Sequence, residues 1–230
     1  MENANLNIYD TLLRLPLFQG FSQSALAQVV GHTKFDFLRH GQGQEVLSAY
    51  APCDSMIFLI KGELSAITYS DDRSYHVEEY ECAPFVIEPE RLFGLSQHYS
   101  RSYVATTDVD LLRISKSEAI RLAAHFYVFR INLLNILTTQ NQRLQHQVWR
   151  IHPPTCRDKI IRFLADHCLR PAGRKTFHIG MQQLATHIGE SRLNVSRMLH
   201  SLADERLLAM GRGTIEVPAL EQLLHAQASR

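Results

Sequence analysis

The spacing of hydrophobic residues changes character along this chain, and each change marks a new kind of element. Between Asn5 and Gly31 the spacing is helical. Leu6, Ile8, Leu12, Leu13 and Leu15 form one amphipathic piece that runs into Pro16. Ser22 then stands where an N-cap belongs, ahead of Gln23 to Val30 with Leu26, Val29 and Val30 as the apolar face. From Phe35 to Ile114 short β-type runs are broken by turn residues. Glu45-Val46-Leu47, Ser55 to Ile60, Glu63 to Tyr69, Ser74 to Tyr80 and Val109 to Ile114 read as strands. Gly41 and Gly43, Lys61-Gly62 and Ser70-Asp71-Asp72-Arg73 read as the turns between them. Strands at this regular interval predict a sandwich, roll or barrel, an architecture that often encloses a ligand cavity.

Helical spacing returns at Ser115. A short helix starts at Ser117-Glu118, and a longer one runs from about Phe126 to Trp149. In the longer one Phe129, Leu133, Leu137, Gln140 and Leu144 fall three or four residues apart, a single seam close to a heptad stripe. The opposite face, with Asn132, Asn135, Thr139, Gln142 and Arg143, is polar. Such a helix would be about 36 Å long. It either lies against the β region or pairs with a copy of itself. Its length, and its place between two unlike regions, favour pairing. His152-Pro153-Pro154 ends the pattern, because consecutive prolines break a helix and stiffen the connection. The expected organisation is therefore a β-rich region over residues 1–120 with its N-terminal helices, a long helix over 121–150, and a separate domain over 151–230.

In that last domain Thr155 caps a helix whose apolar face is Ile160, Ile161, Phe163, Leu164 and Cys168. Lys175 to Ile179 reads as a short strand. Leu207 to Met210, Gly211-Arg212-Gly213 and Thr214 to Val217 read as a hairpin, and Pro218 to Ala228 as a closing helix. Between strand and hairpin lies the most specific stretch of the chain, Gly180 to Leu208. Ala185 is small enough for two helices to cross closely. Gly189 tolerates the positive φ of a tight turn. Val195, then Met198, Leu199 and Leu202, anchor a second helix against Leu184 and Ile188. This is the pattern of a helix-turn-helix, whose second helix enters the major groove of DNA. Ser191, Arg192, Asn194, Ser196 and Arg197 lie outward near the start of that helix. Arginine donates a bidentate pair to guanine and asparagine pairs with adenine, while serine and helix-start N–H groups suit phosphate. Arg212, at the tip of the hairpin, is placed to reach a phosphate or the minor groove.

Composition adjusts this picture little. A length of 230 residues accommodates two domains. The net charge of +1 hides an asymmetry, with 11 Lys and Arg against 7 Asp and Glu after residue 150, and 13 against 16 before it. A basic C-terminal third fits a polyanionic partner. Cys53, Cys82, Cys156 and Cys168 are widely spaced, without C-x-x-C or zinc-finger spacing, as expected of reduced thiols in a cytoplasmic protein. No signal peptide or membrane-spanning run stands out, so a soluble protein with no membrane partner is expected.

The stretch LATHIGESRLNVSRML with its hairpin, together with FLIKGELSAI in the β region, resembles the Crp/Fnr family of bacterial transcription regulators. The resemblance covers nearly the whole chain. It implies an α+β fold: an N-terminal cyclic-nucleotide-binding-like β-roll (jelly-roll), a long dimerisation helix and a C-terminal winged helix-turn-helix. It further implies a homodimer on partly palindromic double-stranded DNA, contact with RNA polymerase, and an unidentified small-molecule or redox signal received by the roll. Arg192 and Arg197 match arginines that contact bases or phosphates in the family, and Ser196-Arg197 matches the Ser-Arg pair of the Fnr branch. Leu193 stands where many members carry a glutamate that reads cytosine, so the preferred site should differ from theirs. Members that bind cyclic AMP carry a Gly-Glu-Leu stretch and an Arg-Ser pair. Arg101-Ser102 fits the second, and Glu90 is the candidate for the ribose-binding glutamate. Pro89 and Arg91 flank Glu90 where small residues are needed, which favours a structural role for Arg101, paired with Glu88 or Glu90, over cyclic-nucleotide binding. No cysteine precedes Cys53, so the iron–sulfur cluster of the Fnr branch is not expected. His76, His98 and His125 are available to a haem, and nothing singles one out.

Two other classes fit less well. A cupin-like metal-dependent enzyme needs clustered ligands such as H-x-H, and the predicted strands hold only His40 and His76. The motifs G-x-S-x-G, G-x-G-x-x-G and the Walker loop are missing from the sequence, which argues against an enzyme. An interaction module that has lost DNA binding should lack arginines at the reading positions, where Arg192 and Arg197 stand.

Overall fold

The computed structural model describes residues 8–149, 151 and 153–228. Leu6 and His152, read above as part of a helix and of the proline break, lie outside the described residues. In chain order the helices are α1 (Ile8–Arg14), α2 (Gln23–His32), α3 (Lys116–His125), α4 (Tyr127–Val148), α5 (Cys156–Asp166), α6 (Met181–Ile188), α7 (Arg192–Asp204) and α8 (Leu220–Ala228). The strands are β1 (Asp36–His40), β2 (Glu45–Leu47), β3 (Ser55–Lys61), β4 (Glu63–Tyr69), β5 (His76–Cys82), β6 (Phe85–Ile87), β7 (Ser102–Ala105), β8 (Val109–Ser115), β9 (Lys175–His178), β10 (Ala209–Gly211) and β11 (Thr214–Val217). The helix starts follow the caps expected from sequence. Ser22, Ser115 and Thr155 each accept the N–H of the residue three places on, which satisfies an otherwise orphan donor.

The chain divides into two compact units, residues 1–65 with 81–145 and residues 66–80 with 146–230. In the first, a sheet of order β1-β8-β3-β6 is centred on β3. Its run Met56, Ile57, Phe58 and Leu59 is buried throughout, as a central strand covered on both faces requires. Phe58 stands opposite Leu112 of β8 and Val86 of β6. Between β3 and β4, Gly62 is required twice over. Its φ is +89°, and a Cβ there would lie 2.5 Å from the carbonyl oxygen of Asp108. The N-terminal segment closes one end of the unit, with the Phe18 ring 5.3 Å from that of Phe129 and 5.9 Å from that of Phe58. Asn132 Nδ2 donates to the Leu17 and Gln19 carbonyls. The first half of α4 is thereby fixed to its own unit.

In the second unit β10, β11, β9 and β5 are neighbours in one sheet, with β4 beside β5. The hairpin Ser70–Ser74, read in sequence as part of the roll, thus carries β5 into the same unit as the C-terminal helices. The two faces of β5 alternate. Val77 and Glu79 are buried, whereas His76, Glu78 and Tyr80 lie on the half-exposed side. Val77 stands opposite Phe177 and joins a core with Ile160, Leu164, Leu199 and Leu223. Tyr75 adds its ring to Phe163 and His187. The heaviest constraint is polar. Lys175 is 0% exposed and Glu79 1%, and Nζ lies 2.9 Å from Oε2. The same carboxylate accepts the N–H groups of Leu169 at 2.9 Å and Arg170 at 3.2 Å. A buried ion pair of this kind is costly to break, because removing one partner strands the other charge. Lys175→Met should lower the unfolding free energy by about 3–5 kcal/mol, measured by urea denaturation. The double variant Lys175→Met/Glu79→Gln should regain most of that loss, and an equal loss in both would show that the stranded carboxylate is not its source.

Candidate nucleic-acid interface

Strand β9 reaches the first helix of the reading head through Ile179 and Gly180. Helix α6 ends at Gly189, whose φ of +65° is left-handed. A Cβ at Gly189 would meet nothing within 4 Å, so the backbone angle alone demands glycine. The turn closes by two hydrogen bonds, from the Gly189 N–H to the Thr186 carbonyl at 3.3 Å and from the Glu190 N–H to the Ala185 carbonyl at 3.0 Å. Ser191 then caps α7 by accepting the Asn194 N–H at 3.2 Å. Leu184, Ala185, Val195, Leu199 and Leu202 are all buried, the contact that the Ala185, Gly189, Val195 spacing predicts.

With that face inward, Ser191, Arg192, Leu193 and Arg197 are exposed, and Leu193 reaches 69% exposure. Ser196 is half-buried. Asn194 is less available. Its Nδ2 donates to Glu190 Oε2 at 3.1 Å, while Glu190 Oε1 accepts Lys159 Nζ at 2.6 Å. These two hydrogen bonds, the lysine's first, hold the Glu190 carboxyl below its usual range. At the far end of α7, Arg157 grips Glu205 with two parallel bonds of 2.6 and 2.7 Å, which ties α5 to α7. Arg212 is exposed in the turn between β10 and β11, beside the left-handed Gly213, and Ile215 and Val217 root that hairpin in the core. The Lys159–Glu190–Asn194 chain and the Arg157–Glu205 clamp escaped the sequence reading. Glu190 and Asn194 stand at i, i+4, a spacing that could have signalled their bond, but nothing local points to Lys159 or Arg157.

A sequence model of the Crp-like helix-turn-helix domain matches residues 158–226, the part that carries this geometry. Residues 158–226 therefore carry a Crp-like helix-turn-helix domain, and the rest of the chain is similar to Crp-type proteins in sequence and fold. Over 147 residues it is 28% identical to the cyclic AMP receptor protein of Thermus thermophilus, covering 62% of this chain and 68% of that one. Its fold is similar to the catabolite activator protein of Thermus thermophilus, with a TM-score of 0.53 and 21% identity over 93% of this chain and 98% of that one. It is similar in fold to CprK complexed with OCPA, with a TM-score of 0.50 and 17% identity over 87% and 92% of the two chains. The matched domain makes the C-terminal part a DNA-binding helix-turn-helix of the Crp type, with β10 and β11 as its wing. The enzyme and interaction-module alternatives are not favoured. Among the described residues no single helix is long and apolar enough to cross a membrane.

Elsewhere in this chain the sequence-predicted residues are divided. Of the seam, Phe129 and Leu133 are buried inside their own unit, a correction to their reading as dimer contacts. Leu137 and Gln140 are half-buried, and Leu144 is 55% exposed. In the roll Arg101 is 4% exposed and its charge acts on Tyr103. Ser102 Oγ accepts the Ala49 N–H at 3.0 Å. Burial raises the Glu90 carboxyl above its usual range, while the nearby Glu88 is the carboxylate that accepts Ser100 and Tyr103. Of the three residues offered for an effector, Arg101 is buried and Ser102 holds a backbone N–H, while Glu90 Oε2 is buried without a hydrogen-bond partner. For the reading head, Gly189→Ala should cost about 1–2 kcal/mol, the penalty of a left-handed alanine, and Ser191→Ala about 1 kcal/mol from the lost cap. Urea titrations of the two variants check both values.

Proposed function

We propose that the protein acts as a homodimer in which α7 of each copy enters the major groove at one half of a partly palindromic site. The observation that carries this reading is the division of α7 into a buried face, with Val195, Leu199 and Leu202, and an exposed start, with Arg192, Leu193 and Arg197. Arg192 and Arg197 contact guanine edges or phosphates, Ser191 and Ser196 contact phosphate, and Arg212 contacts the backbone from the wing. Leu193 cannot accept a hydrogen bond from cytosine. Its exposed methyl groups suit the C5-methyl of thymine, which moves the preferred site away from that of glutamate-bearing relatives. Asn194 reads adenine only after its amide leaves Glu190.

Pairing of two copies uses the part of α4 that its own unit does not bury, the half-buried Leu137 and Gln140 and the exposed Leu144. The domain roles follow: residues 1–120 receive the signal, 121–150 pair the copies, and 151–230 read DNA in the cytoplasm and present the bound dimer to RNA polymerase. The cyclic AMP of the Thermus relative's name is the first effector to test. The burial of Arg101 and the backbone bond of Ser102 favour the structural role for that pair.

Arg197→Ala should weaken binding to a cognate promoter fragment about 10- to 100-fold, the span of one lost bidentate contact, while the dimer stays intact. A gel-shift titration with unchanged affinity would remove α7 as the reader. Leu137→Glu should convert the dimer to monomer in sedimentation equilibrium, and a dimer that survives the change would place the interface elsewhere.

A further inference from the structure

The half-exposed side of β5 carries a cluster that the reading of DNA does not use. His76 and Glu78 stand two residues apart on one strand, so both lie on the same face. His178 of β9 is the direct partner of His76 in the antiparallel register, and Thr176 is the partner of Glu78. Pairing thus brings two imidazoles and a carboxylate together from distant parts of the sequence. One ligand atom from each lies within 4.8 Å of the other two. Glu78 Oε1 is 3.1 Å from His178 Nε2 and 3.8 Å from His76 Nε2.

We infer that His76, Glu78 and His178 form a binding site for a first-row divalent transition ion of the zinc class, which clips β5 to β9. The donor set is two imidazoles and one carboxylate, a set that holds zinc with a position left for water. The two carboxylate–imidazole separations, 3.1 and 3.8 Å, bracket the spacing of about 3.3–3.4 Å between ligand atoms that lie about 2.0–2.1 Å from a tetrahedral ion. The contact between His178 Nε2 and Glu78 Oε1 lacks hydrogen-bond geometry. Nε2 is buried without a hydrogen-bond partner, so the two atoms stand side by side as neighbouring ligands do. The second oxygen of the carboxylate is already oriented, because the Tyr80 hydroxyl donates to Glu78 Oε2 at 3.0 Å. Outer-shell bonds of this kind fix a ligand's direction.

A cavity of about 280 Å³ adjoins the cluster, lined by Glu78, Thr176, His178 and Glu216 among others. It admits the water or small anion that completes the coordination. Glu216 pairs with Thr176 in the register and adds a further negative charge on this face. The two imidazole rings stack at 4.1 Å and 11°, so ligation requires one ring to turn about its χ2 until both lone pairs converge. Both side chains are about a third exposed or less, with solvent on one side to permit that turn.

The site is tested on the untagged full chain, stripped with chelator and titrated with Co²⁺ and then Zn²⁺. One ion per chain should bind, with a visible cobalt band, no thiolate charge-transfer band, and a rise in melting temperature with Zn²⁺. His178→Gln and Glu78→Gln should each weaken binding at least about 100-fold, and Tyr80→Phe, which keeps all three ligands, about 10-fold. Zn²⁺ should also shift the ring resonances of His76 and His178 in the unaltered protein, a readout that needs no variant to fold. Absence of Co²⁺ binding, a thiolate band, or binding kept by the triple variant His76→Gln/Glu78→Gln/His178→Gln would each overturn the assignment.

Discussion

A lysine ammonium and a carboxylate sealed from water together cannot be parted without leaving a charge where none can be solvated. Lys175 and Glu79 are such a pair, and their positions decide the plan of the C-terminal unit. Lys175 opens β9, Glu79 lies in β5, and the two are opposite one another in the register. Because Glu79 accepts two backbone N–H groups after α5 as well, one carboxylate holds a strand, a loop and a helix end. Once β5 is committed to β9, Val77 and Tyr75 follow into the core, and His76 and Glu78 are set beside His178.

The reading head depends on that same strand. From the end of β9 the chain passes through Ile179 and Gly180 into α6, turns at Gly189 and emerges as α7. The direction of α7 is then fixed at both ends. Asn194, Glu190 and Lys159 brace its start, and the Arg157–Glu205 clamp braces its finish. A reader of base edges needs its backbone rigid and only its tip residues free. Arg192, Leu193 and Arg197 are those free residues.

What the sequence revealed was local. Caps at Ser22, Ser115 and Thr155, the left-handed turn at Gly189 and the glycine after Lys61 are signals carried by one residue and its immediate neighbours. The crossing of α6 and α7 was legible for the same reason, since Ala185, Gly189 and Val195 encode it within one short stretch. Pairings across long separations were not. Strands β6 and β7 are short and carry no alternation long enough to stand out. Periodicity named the apolar face of α4 but could not say what covers it: Phe18 packs on Phe129, and both Phe129 and Leu133 are buried within their own unit. Lys175 looked like an ordinary polar start to a strand. His76, Glu78 and His178 were unremarkable until β5 and β9 were paired.

The central claim is that two copies of α7 read DNA in successive major grooves. Selection of bound duplexes from a randomised pool, followed by methylation interference at guanine N7, tests it most directly. The account predicts an enriched inverted repeat with half-sites about one helical turn, roughly 34 Å, apart, and loss of binding when major-groove N7 is methylated within each half-site. Recovery of no common sequence, or of a single unrepeated site insensitive to N7 methylation, would contradict it.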